Sequence, residues 1–233
     1  MTSPPRRRRP TAAPKPPGPP PPTPAAAAGR RDRERNRHRR EILAAAVKLF
    51  ARHGFEKTTM ADLAAEAEFA VGTLYKFFKD KQELYRTIIR DIAAEMSARL
   101  TEALRQDGTE IQRLHRYIDV KMELFVKHAP VGRLYFSQTT GAVWSPEAAL
   151  DAELKNLFHK TLHDLGEIFR RGIRKKLFVN RDPLLLALTL EGLTHAFIAP
   201  LVDDPRAFTA EEMASAIKGV FFKGILRDAA GRD

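Results

Sequence analysis

Helix-start signals recur along the chain from Glu41 onward, and they constrain the fold more than any other feature. Four times a threonine or aspartate is followed, three residues later, by an acidic or amide side chain, and apolar residues at helical spacing come next. Such a pair is a capping box, which satisfies backbone N–H groups at the start of a helix. The four boxes are Thr59–Asp62, Asp80–Glu83, Thr109–Gln112 and Thr209–Glu212. The alternation typical of strands is missing, so the sequence predicts an all-α fold of about nine helices.

Proline and glycine mark further helix boundaries. Ser145-Pro146 and Asp182-Pro183 each place a capping residue before a proline at the first helical position. We expect one apolar helix from Asp182 to Pro200. Gly54 is expected to end the first helix, and Pro130 the helix that follows Thr109. The predicted divisions are a disordered tail over 1–32, a helix-turn-helix domain over 33–80, a helical bundle over 81–228 and a C-terminal tail over 229–233.

The N-terminal region differs sharply from the rest in composition. Residues 1–29 hold 11 of the 16 prolines, which is typical of a disordered segment. Residues 1–40 contain 12 Lys/Arg and 2 Asp/Glu, whereas residues 41–233 contain 28 Lys/Arg and 27 Asp/Glu. A basic arm on a neutral body indicates an acidic polymer or surface as partner, and the alternative is a solvated tail with no partner.

Several functional classes are disfavoured. The chain has no cysteine, which excludes disulfides and thiolate metal sites and fits a reducing cytoplasm. The apolar run Leu184–Val202 carries Glu191 and His195 near its middle, which favours a buried helix over a membrane span. His159 and His163 lie one helical turn apart but lack the glutamate of a hydrolytic zinc site, so a polar helix face is favoured. We expect no catalytic residues, no cofactor and no enzyme activity, and a small metal-dependent hydrolase is a distant alternative.

The stretch "VGTLYKFF" at 71–78 has an unusual composition for a short helix. Two short helices are predicted at 60–67 and 70–77, joined by a tight turn at Glu68-Phe69, which is the pattern of a helix-turn-helix. Leu63, Leu74 and Phe78 would face the first helix. Glycine then permits close approach to a phosphate backbone, and the remaining outward side chains can reach phosphates or base edges. The outward residues are Gly72, Thr73, Tyr75 and Lys76.

Four segments between Arg40 and Leu84 resemble the N-terminal domain of the tetracycline-repressor (TetR) family. They are "ILAAAVKLFARHGFEKTT", "MADLAAEA", "GTLYKFF" and "KQELY". The resemblance implies an all-helical homodimer that binds double-stranded operator DNA and a C-terminal domain that senses a small molecule. It assigns DNA contact to Thr59, Gly72, Thr73, Tyr75, Lys76 and Lys81. Helix-start geometry adds Thr58, and the basic arm adds Arg37 and Arg40.

The chain departs from the family pattern at two positions of the turn. Glu68 stands where the family usually has glycine, and a left-handed residue other than glycine costs about 1 kcal/mol. Ala70 stands where serine or threonine often caps the recognition helix, which removes a cap worth about 1 kcal/mol. Residues 41–81 hold 6 Lys/Arg and 6 Asp/Glu. We therefore expect weak DNA binding without Arg30–Arg40, and a flatter salt dependence after deletion of residues 1–36.

The C-terminal region is expected to form both the dimer interface and a ligand pocket. The helix from Asp182 is apolar nearly all round, so with the helix from Thr209 it should form a four-helix interface, unless a monomeric core covers it. Aromatic side chains and methionine suit an apolar or aromatic effector, although each residue taken alone is more often part of a core than a ligand contact. The candidate lining is Tyr117, Met122, Phe125, Tyr135, Trp144, Phe158, Phe169 and Phe197, with His115, Gln138 and His195 as polar anchors.

The sequence thus predicts a ligand-responsive DNA-binding regulator, a homodimeric repressor released from its operator by an apolar molecule. Two alternatives share the fold: a small-molecule-binding protein whose head no longer reads DNA, and a constitutive DNA-binding factor without a ligand. A mobility shift on DNA separates the first from our prediction. A thermal-shift screen against apolar compounds separates the second.

Overall fold

The computed structural model describes residues 24–138, 152–204 and 206–226. Within them the predicted all-α architecture is confirmed, since the only β-type pairing is an isolated antiparallel bridge between Phe178 and Leu226. The chain separates into two units, Met1–Arg39 and Arg40–Asp233. The helices in the described residues are α1 (Pro24–His53), α2 (Met60–Glu66), α3 (Val71–Leu74), α4 (Lys81–Arg105), α5 (Glu110–Gln138), α6 (Ala152–Arg174), α7 (Pro183–His195), α8 (Ile198–Asp203) and α9 (Ala210–Ile225).

The predicted capping boxes start the helices as expected. At α2 the Thr59 hydroxyl accepts from the backbone N–H of Asp62 at 3.1 Å, and the Asp62 carboxylate accepts from the Thr59 N–H at 2.9 Å. The same reciprocal pair begins α9 at Thr209 and α5 at Thr109. At α4 the Asp80 carboxylate accepts from the N–H of Glu83, but the Glu83 carboxylate turns instead to the N–H of Lys79.

Helix α1 begins well before the predicted domain boundary at residue 33. It starts at Pro24, so residues 24–32, which were assigned to the disordered tail, are helical. Alanine and arginine are strong helix formers, and Pro24 occupies the first turn, where proline is tolerated. The helix ends as predicted before Gly54, whose φ of 79° is readily adopted only by glycine.

The helix predicted over 70–77 is shorter than expected, because α3 ends at Leu74 and turns follow. Two further predicted helix boundaries are wrong, and both involve proline. Helix α5 does not end at Pro130 but continues to Gln138, because Ala129 and Val131 on either side are buried and their packing outweighs the lost hydrogen bond. The helix predicted over 182–200 instead splits into α7 and α8. In a continuous helix the ring of Pro200 would clash with the carbonyl of Ala196. Helix α7 therefore ends at His195, with Ala196 as its C-cap.

Some predictions fall on residues outside the described part of the chain. These are the helix start at Ser145-Pro146, the tails at 1–23 and 229–233, and the position of Trp144. The backbones of Tyr135 and Gln138 lie in α5, but their side chains are outside the described part of the chain.

Two hydrophobic cores organise the residues after Arg40. The first, which we call the head core, joins α1, α2 and α3 through Ile42, Leu63, Leu74 and Phe78, each at most 2% exposed. It also contains Leu84 and Ile88 of α4 and Val131 of α5. The head therefore extends past the predicted boundary at residue 80, because the start of α4 completes its core.

The second core lies among the longer helices. Helix α4 packs on α5 and α6, α6 packs on α7, and α9 packs on α5. Its largest fully buried side chains include Tyr117, Met122, Phe169 and Phe178. In the described ranges no helix combines the length and hydrophobicity needed to cross a membrane.

Candidate functional site

The turn between α2 and α3 has the left-handed residue expected from the sequence. Glu68 adopts a φ of 59°, and the backbone N–H of Phe69 donates to the carbonyl of Ala64 at 2.9 Å. Ala70 occupies the N-cap of α3 and makes no side-chain capping hydrogen bond. The turn therefore forms without glycine, and the left-handed conformation of Glu68 costs conformational free energy.

Helix α3 and the turn that follows it, residues 71–77, present the predicted outward face. Tyr75 is 55% exposed, and Gly72 and Lys76 are also exposed, whereas Thr73 is partly buried. Leu74 and Phe78 lie in the head core, so the inward face of this segment is held in place by packing. Val71 is exposed as well, which places an apolar side chain beside the polar ones. Val71, Gly72, Tyr75 and Lys76 form an exposed surface, here called the reading face after its predicted contact with DNA.

The residues that start α2 and α4 differ in how far they are exposed. Thr59 is exposed while it caps α2. The predicted DNA contact of Thr58 through a helix-start N–H group is not supported, because Thr58 is only 2% exposed and its N–H donates to the carbonyl of Phe55. The Lys81 ammonium donates to the carbonyls of Phe55 and Glu56 and lies 4.3 Å from the Phe55 ring centroid. Lys81 therefore holds the loop between α1 and α2 in place.

The basic arm continues α1 toward the N-terminus. Residues 31–37 are exposed, and Arg37 and Arg40, both predicted to contact DNA, are exposed. The alternation of arginine with other residues over 30–40 spreads positive charge around the helix rather than on one stripe.

A cavity of about 270 Å³ lies in the C-terminal region, lined by α4 to α8. Its walls are mostly apolar side chains from α4 and α6, among them Ile92, Met96, Leu100, Leu154 and Leu157. A cavity of this size is near the lower end of the usual range for small-molecule sites, about 300–1,000 Å³. The site is therefore suited to a small apolar ligand.

The structure supports part of the predicted lining. Phe125 and Phe158 line the cavity, as does the predicted polar anchor His195. Tyr117, Met122 and Phe169 do not line it, because they are fully buried in the second core. Phe197 packs against the same core, and the His115 ring lies 4.4 Å from that of Phe222, away from the cavity. Tyr117, Met122, Phe169 and Phe197 therefore belong to the core, which is the alternative to lining a pocket.

A buried polar cluster on the cavity wall was missed by the sequence reasoning. The Lys121 ammonium and the Tyr117 hydroxyl each donate to the same Glu191 oxygen, Oε1, at 2.6 Å. Burial lowers the pKa of Lys121. Burial alone would raise the pKa of Glu191, but Lys121, His195 and the hydrogen bond from Tyr117 together lower it. The signal was present in the sequence, because Lys121 lies within the apolar stripe of α5 and Glu191 within the apolar run of α7.

Two imidazoles complete the cavity wall. His195 lies between the rings of Phe125 and Phe158, with centroids 6.2 and 6.4 Å away. Burial, assisted by the Lys121 ammonium, lowers the pKa of His195 to about 4. Burial also lowers the pKa of His128, although the Glu95 carboxylate 3.4 Å from its Nε2 opposes the shift. Both rings are therefore neutral at pH 7.

Within the described residues, no cluster of three or more metal-ligating side chains is present. The two histidines singled out in the sequence, His159 and His163, lie on α6. The His163 side chain is 74% exposed, and the neighbouring Asp164 forms an ion pair with Lys160.

Comparison with known proteins agrees with this geometry. Residues 42–88 match the family described as "Bacterial regulatory proteins, tetR family". An uncharacterized HTH-type transcriptional regulator of Bacillus subtilis, YhgD, is 33% identical over 187 residues, which cover 80% of this chain and 96% of YhgD. The chain belongs to the TetR family of DNA-binding transcriptional regulators. The helix-turn-helix of this TetR-family regulator is therefore its DNA-binding element.

Solved structures show the same fold across most of the TetR-family regulator. The ketosteroid transcriptional regulator KstR2 of Mycobacterium tuberculosis superposes with a TM-score of 0.65 at 20% identity, covering 82% of this chain and 95% of KstR2. The fatty acid degradation regulator FadR of Bacillus halodurans gives a TM-score of 0.66 at 17% identity, covering 80% of this chain and 95% of FadR. At these identities the likeness extends to the fold alone.

Glu68 offers a direct test of the turn. Replacing it with glycine should raise the free energy of unfolding by about 0.5–1 kcal/mol, because the left-handed strain is removed and the gain in unfolded-state entropy offsets only part of that. Glu68→Gln keeps the strain and should leave stability unchanged. Both variants remove a negative charge beside the DNA-binding helix, so both should bind DNA several-fold more tightly at low salt. Urea denaturation and fluorescence anisotropy measure the two effects; equal stabilities for glycine and glutamine would contradict the strain.

Proposed function

We propose that the protein is a homodimeric repressor that an apolar small molecule releases from its operator. The observation that carries this proposal is the course of α4. Leu84 and Ile88, near its start, lie in the head core, and Ile92, Met96 and Leu100, further along, line the cavity. A ligand that displaces the cavity-facing part of α4 must therefore also move the part that supports the reading face.

Helix α5 provides a second connection between the cavity and the head core. Val131 belongs to the head core and also lines the cavity, and it follows Pro130, where α5 lacks a backbone donor. Two helices thus connect the ligand site with the head. In this proposal the ligand favours a conformation in which the two heads of the dimer are further apart than in the DNA-bound one. The ligand can shift the equilibrium only if it binds that spread conformation more tightly.

The reading face supplies the DNA contacts in this proposal. The Lys76 ammonium and the Tyr75 hydroxyl suit phosphates, while Val71 and Thr73 offer methyl groups to the major groove. Two heads on a twofold axis would read half-sites about 34 Å apart. The residues around α3 have no net positive charge, so we also propose that Arg30–Arg40, including Arg37 and Arg40, adds phosphate contacts.

DNA selected from a random pool tests the reading face. We expect the full chain to select an inverted repeat. Lys76→Ala should weaken binding to it about tenfold and reduce the salt slope by about 0.9 for each phosphate that the variant no longer neutralises. Lys160→Ala, an exposed lysine of α6 outside both the reading face and the proposed dimer interface, is the matched control and should bind like the wild type. The affinity of the chain that lacks residues 1–36 should depend still less on salt concentration. Equal affinities for the two lysine variants would argue against α3 as the reading helix.

The dimer interface is proposed on the exposed sides of α7 and α9. Leu184, Leu185 and Leu188 of α7 are 43–61% exposed, and Val220 of α9 is 65% exposed. The small residues Gly192, Ala196, Gly219 and Gly224 are also exposed and would allow close approach of two helix pairs. The buried side of α7 meets the protomer's own core through Leu186 and Leu190, so only half of this apolar helix needs a partner.

Leu185→Glu should raise the dimer dissociation constant at least tenfold, because it places an unpaired charge in an apolar interface. Sedimentation equilibrium of the wild type and the variant measures this constant. Val71→Glu, which changes an equally apolar exposed residue on α3, is the control and should leave the constant unchanged. A wild type that sediments as a monomer at micromolar concentration would contradict the proposed dimer.

A further inference from the structure

The cavity carries a constructed polar site at one place on its wall. Lys121 and Glu191 line the cavity, and their side chains are 3% and 5% exposed. Tyr117, fully buried behind them, donates to the same Glu191 oxygen that Lys121 contacts. Burying an ion pair is costly unless its hydrogen bonds are satisfied, and here a third side chain helps to satisfy them. The cluster is therefore held in a fixed arrangement before any ligand arrives.

The charges around the cavity cancel. Among the described lining residues, four side chains titrate: Lys121, Glu191, His128 and His195. Lys121 and Glu191 form one ion pair, and both imidazoles are uncharged at pH 7. A carboxylate ligand would bring a second negative charge next to Glu191, and an ammonium ligand a second positive charge next to Lys121. In an apolar cavity neither charge would be neutralised, which is strongly unfavourable.

The same wall nevertheless offers hydrogen bonds. An ammonium group has three donors, and among the described contacts Lys121 uses one of them, for Glu191. His195 stacks with Phe125 and Phe158, and within the described part of the chain no hydrogen bond uses its ring nitrogens. A neutral imidazole provides one donor and one acceptor. An oxygen atom of an uncharged ligand can therefore be held there without disturbing the ion pair.

The cavity volume limits the size of the ligand. The volume is about 270 Å³. For scale, a dry cavity of about 150 Å³ holds one benzene molecule, so this one has room for about ten to twelve non-hydrogen atoms. A linear chain of about ten carbons or a two-ring compound falls within that range.

We propose that the cavity binds an uncharged, mostly apolar molecule of about ten to twelve non-hydrogen atoms whose single carbonyl or hydroxyl oxygen hydrogen-bonds to Lys121 and His195. This proposal rests on the proposed function only in taking the cavity as the effector site. It excludes free carboxylic acids and amines of the same length as preferred ligands.

A matched ligand series tests the proposal on the full chain. Isothermal titration calorimetry at pH 7 would compare 2-decanone, 1-decanol, decanoate and decylamine, which share one carbon chain and differ in charge and polar group. We expect the ketone or the alcohol to bind at least tenfold more tightly than either charged probe. Tightest binding of decanoate or decylamine, or no binding of any probe, would overturn the proposal. DNA binding without ligand is measured separately, so either result leaves the DNA-reading function intact.

A variant then locates the polar contact. Replacing Tyr117 by Phe, Lys121 by Met and Glu191 by Leu together removes the whole cluster without leaving a lone buried charge, which is usually neutral or stabilising. The preference for 2-decanone over decane should fall about tenfold. The exposed pair Lys160 and Asp164, changed to Gln and Asn, is the control and should keep that preference. A triple variant that folds and retains the full preference would overturn the assignment, and one that fails to fold leaves the ligand series as the deciding test.

Discussion

Gly172→Ala should destabilise the protein by about 3 kcal/mol, at the upper end of the usual cost of overpacking. A Cβ atom at Gly172 would lie 2.1 Å from Cε2 and 2.2 Å from Cδ2 of Phe178, far inside contact distance. The aromatic ring is therefore seated directly on the backbone of α6. Only a residue without a side chain allows this contact.

The ring of Phe178 has little room to retreat. It is 1% exposed and packs edge-on against Phe169, with ring centroids 5.7 Å apart. The backbone on both sides is held, because the N–H of Leu177 donates to the carbonyl of Gly172 and the N–H of Val179 donates to that of Ile225, at 2.9 and 2.8 Å. The clash must then be relieved by moving α6 or α9, which disturbs the second core.

Gly166→Ala is the matched control for this prediction. Gly166 lies on the same helix and is also buried, but an added Cβ would meet no atom within 4 Å outside the neighbouring helix backbone. Alanine there should stabilise the protein by about 0.5–1 kcal/mol through helix propensity. In thermal unfolding followed by circular dichroism, the two variants should move Tm in opposite directions, by roughly 6–12 °C downward and a few degrees upward. Equal losses at both positions would show that the Phe178 contact is not the cause.

Local signals predicted the fold well because they act over three or four residues. The capping boxes at Thr59, Thr109 and Thr209 and the left-handed position at Glu68 follow from short-range geometry. Predictions failed where packing overrides local preference. Pro130 remains inside α5 because buried neighbours on both sides hold the helix together.

The same contrast between local signals and packing applies to the candidate site. The outward residues of α3 could be predicted, because periodicity alone assigns the inward ones. The aromatic residues of the C-terminal region could not be divided between core and cavity, because Tyr117 and Phe125 lie on one helix and only the packing of α7 and α8 separates them. The pairing of Lys121 with Glu191 joins residues 70 positions apart, which no local pattern specifies.

The wild type should lose about 3 kcal/mol of stability from His195 alone between pH 6.5 and pH 4. The pKa of this imidazole is about 4 in the folded protein, first because of burial and then because of the Lys121 ammonium, against about 6.5 in the unfolded chain. Above pH 6.5 the ring is neutral in both states and contributes no pH dependence. As the pH falls, the unfolded chain takes up the proton first, so unfolding is favoured until the folded protein is also protonated near pH 4.

His195→Phe should remove this slope. Phenylalanine keeps an aromatic ring between Phe125 and Phe158, so packing changes little, but it cannot bind a proton. Other groups also cost stability at low pH, because the pKa of Glu191 and that of Glu95 are lowered in the folded state. The quantity to measure is therefore the difference between the free energies of unfolding of the two proteins in urea, at several pH values from 7.5 to 4.

That difference should favour the phenylalanine variant increasingly below pH 6.5, by about 1.4 kcal/mol for each pH unit, and should level off near pH 4. His163→Gln, a change on the exposed side of α6, controls for the removal of a histidine from the chain. A constant difference across the whole range would mean that water or a shifted carboxylate keeps the imidazole of His195 protonatable in the folded state. The cavity would then hold a positive charge at low pH, and the case for an uncharged ligand would apply only near neutrality.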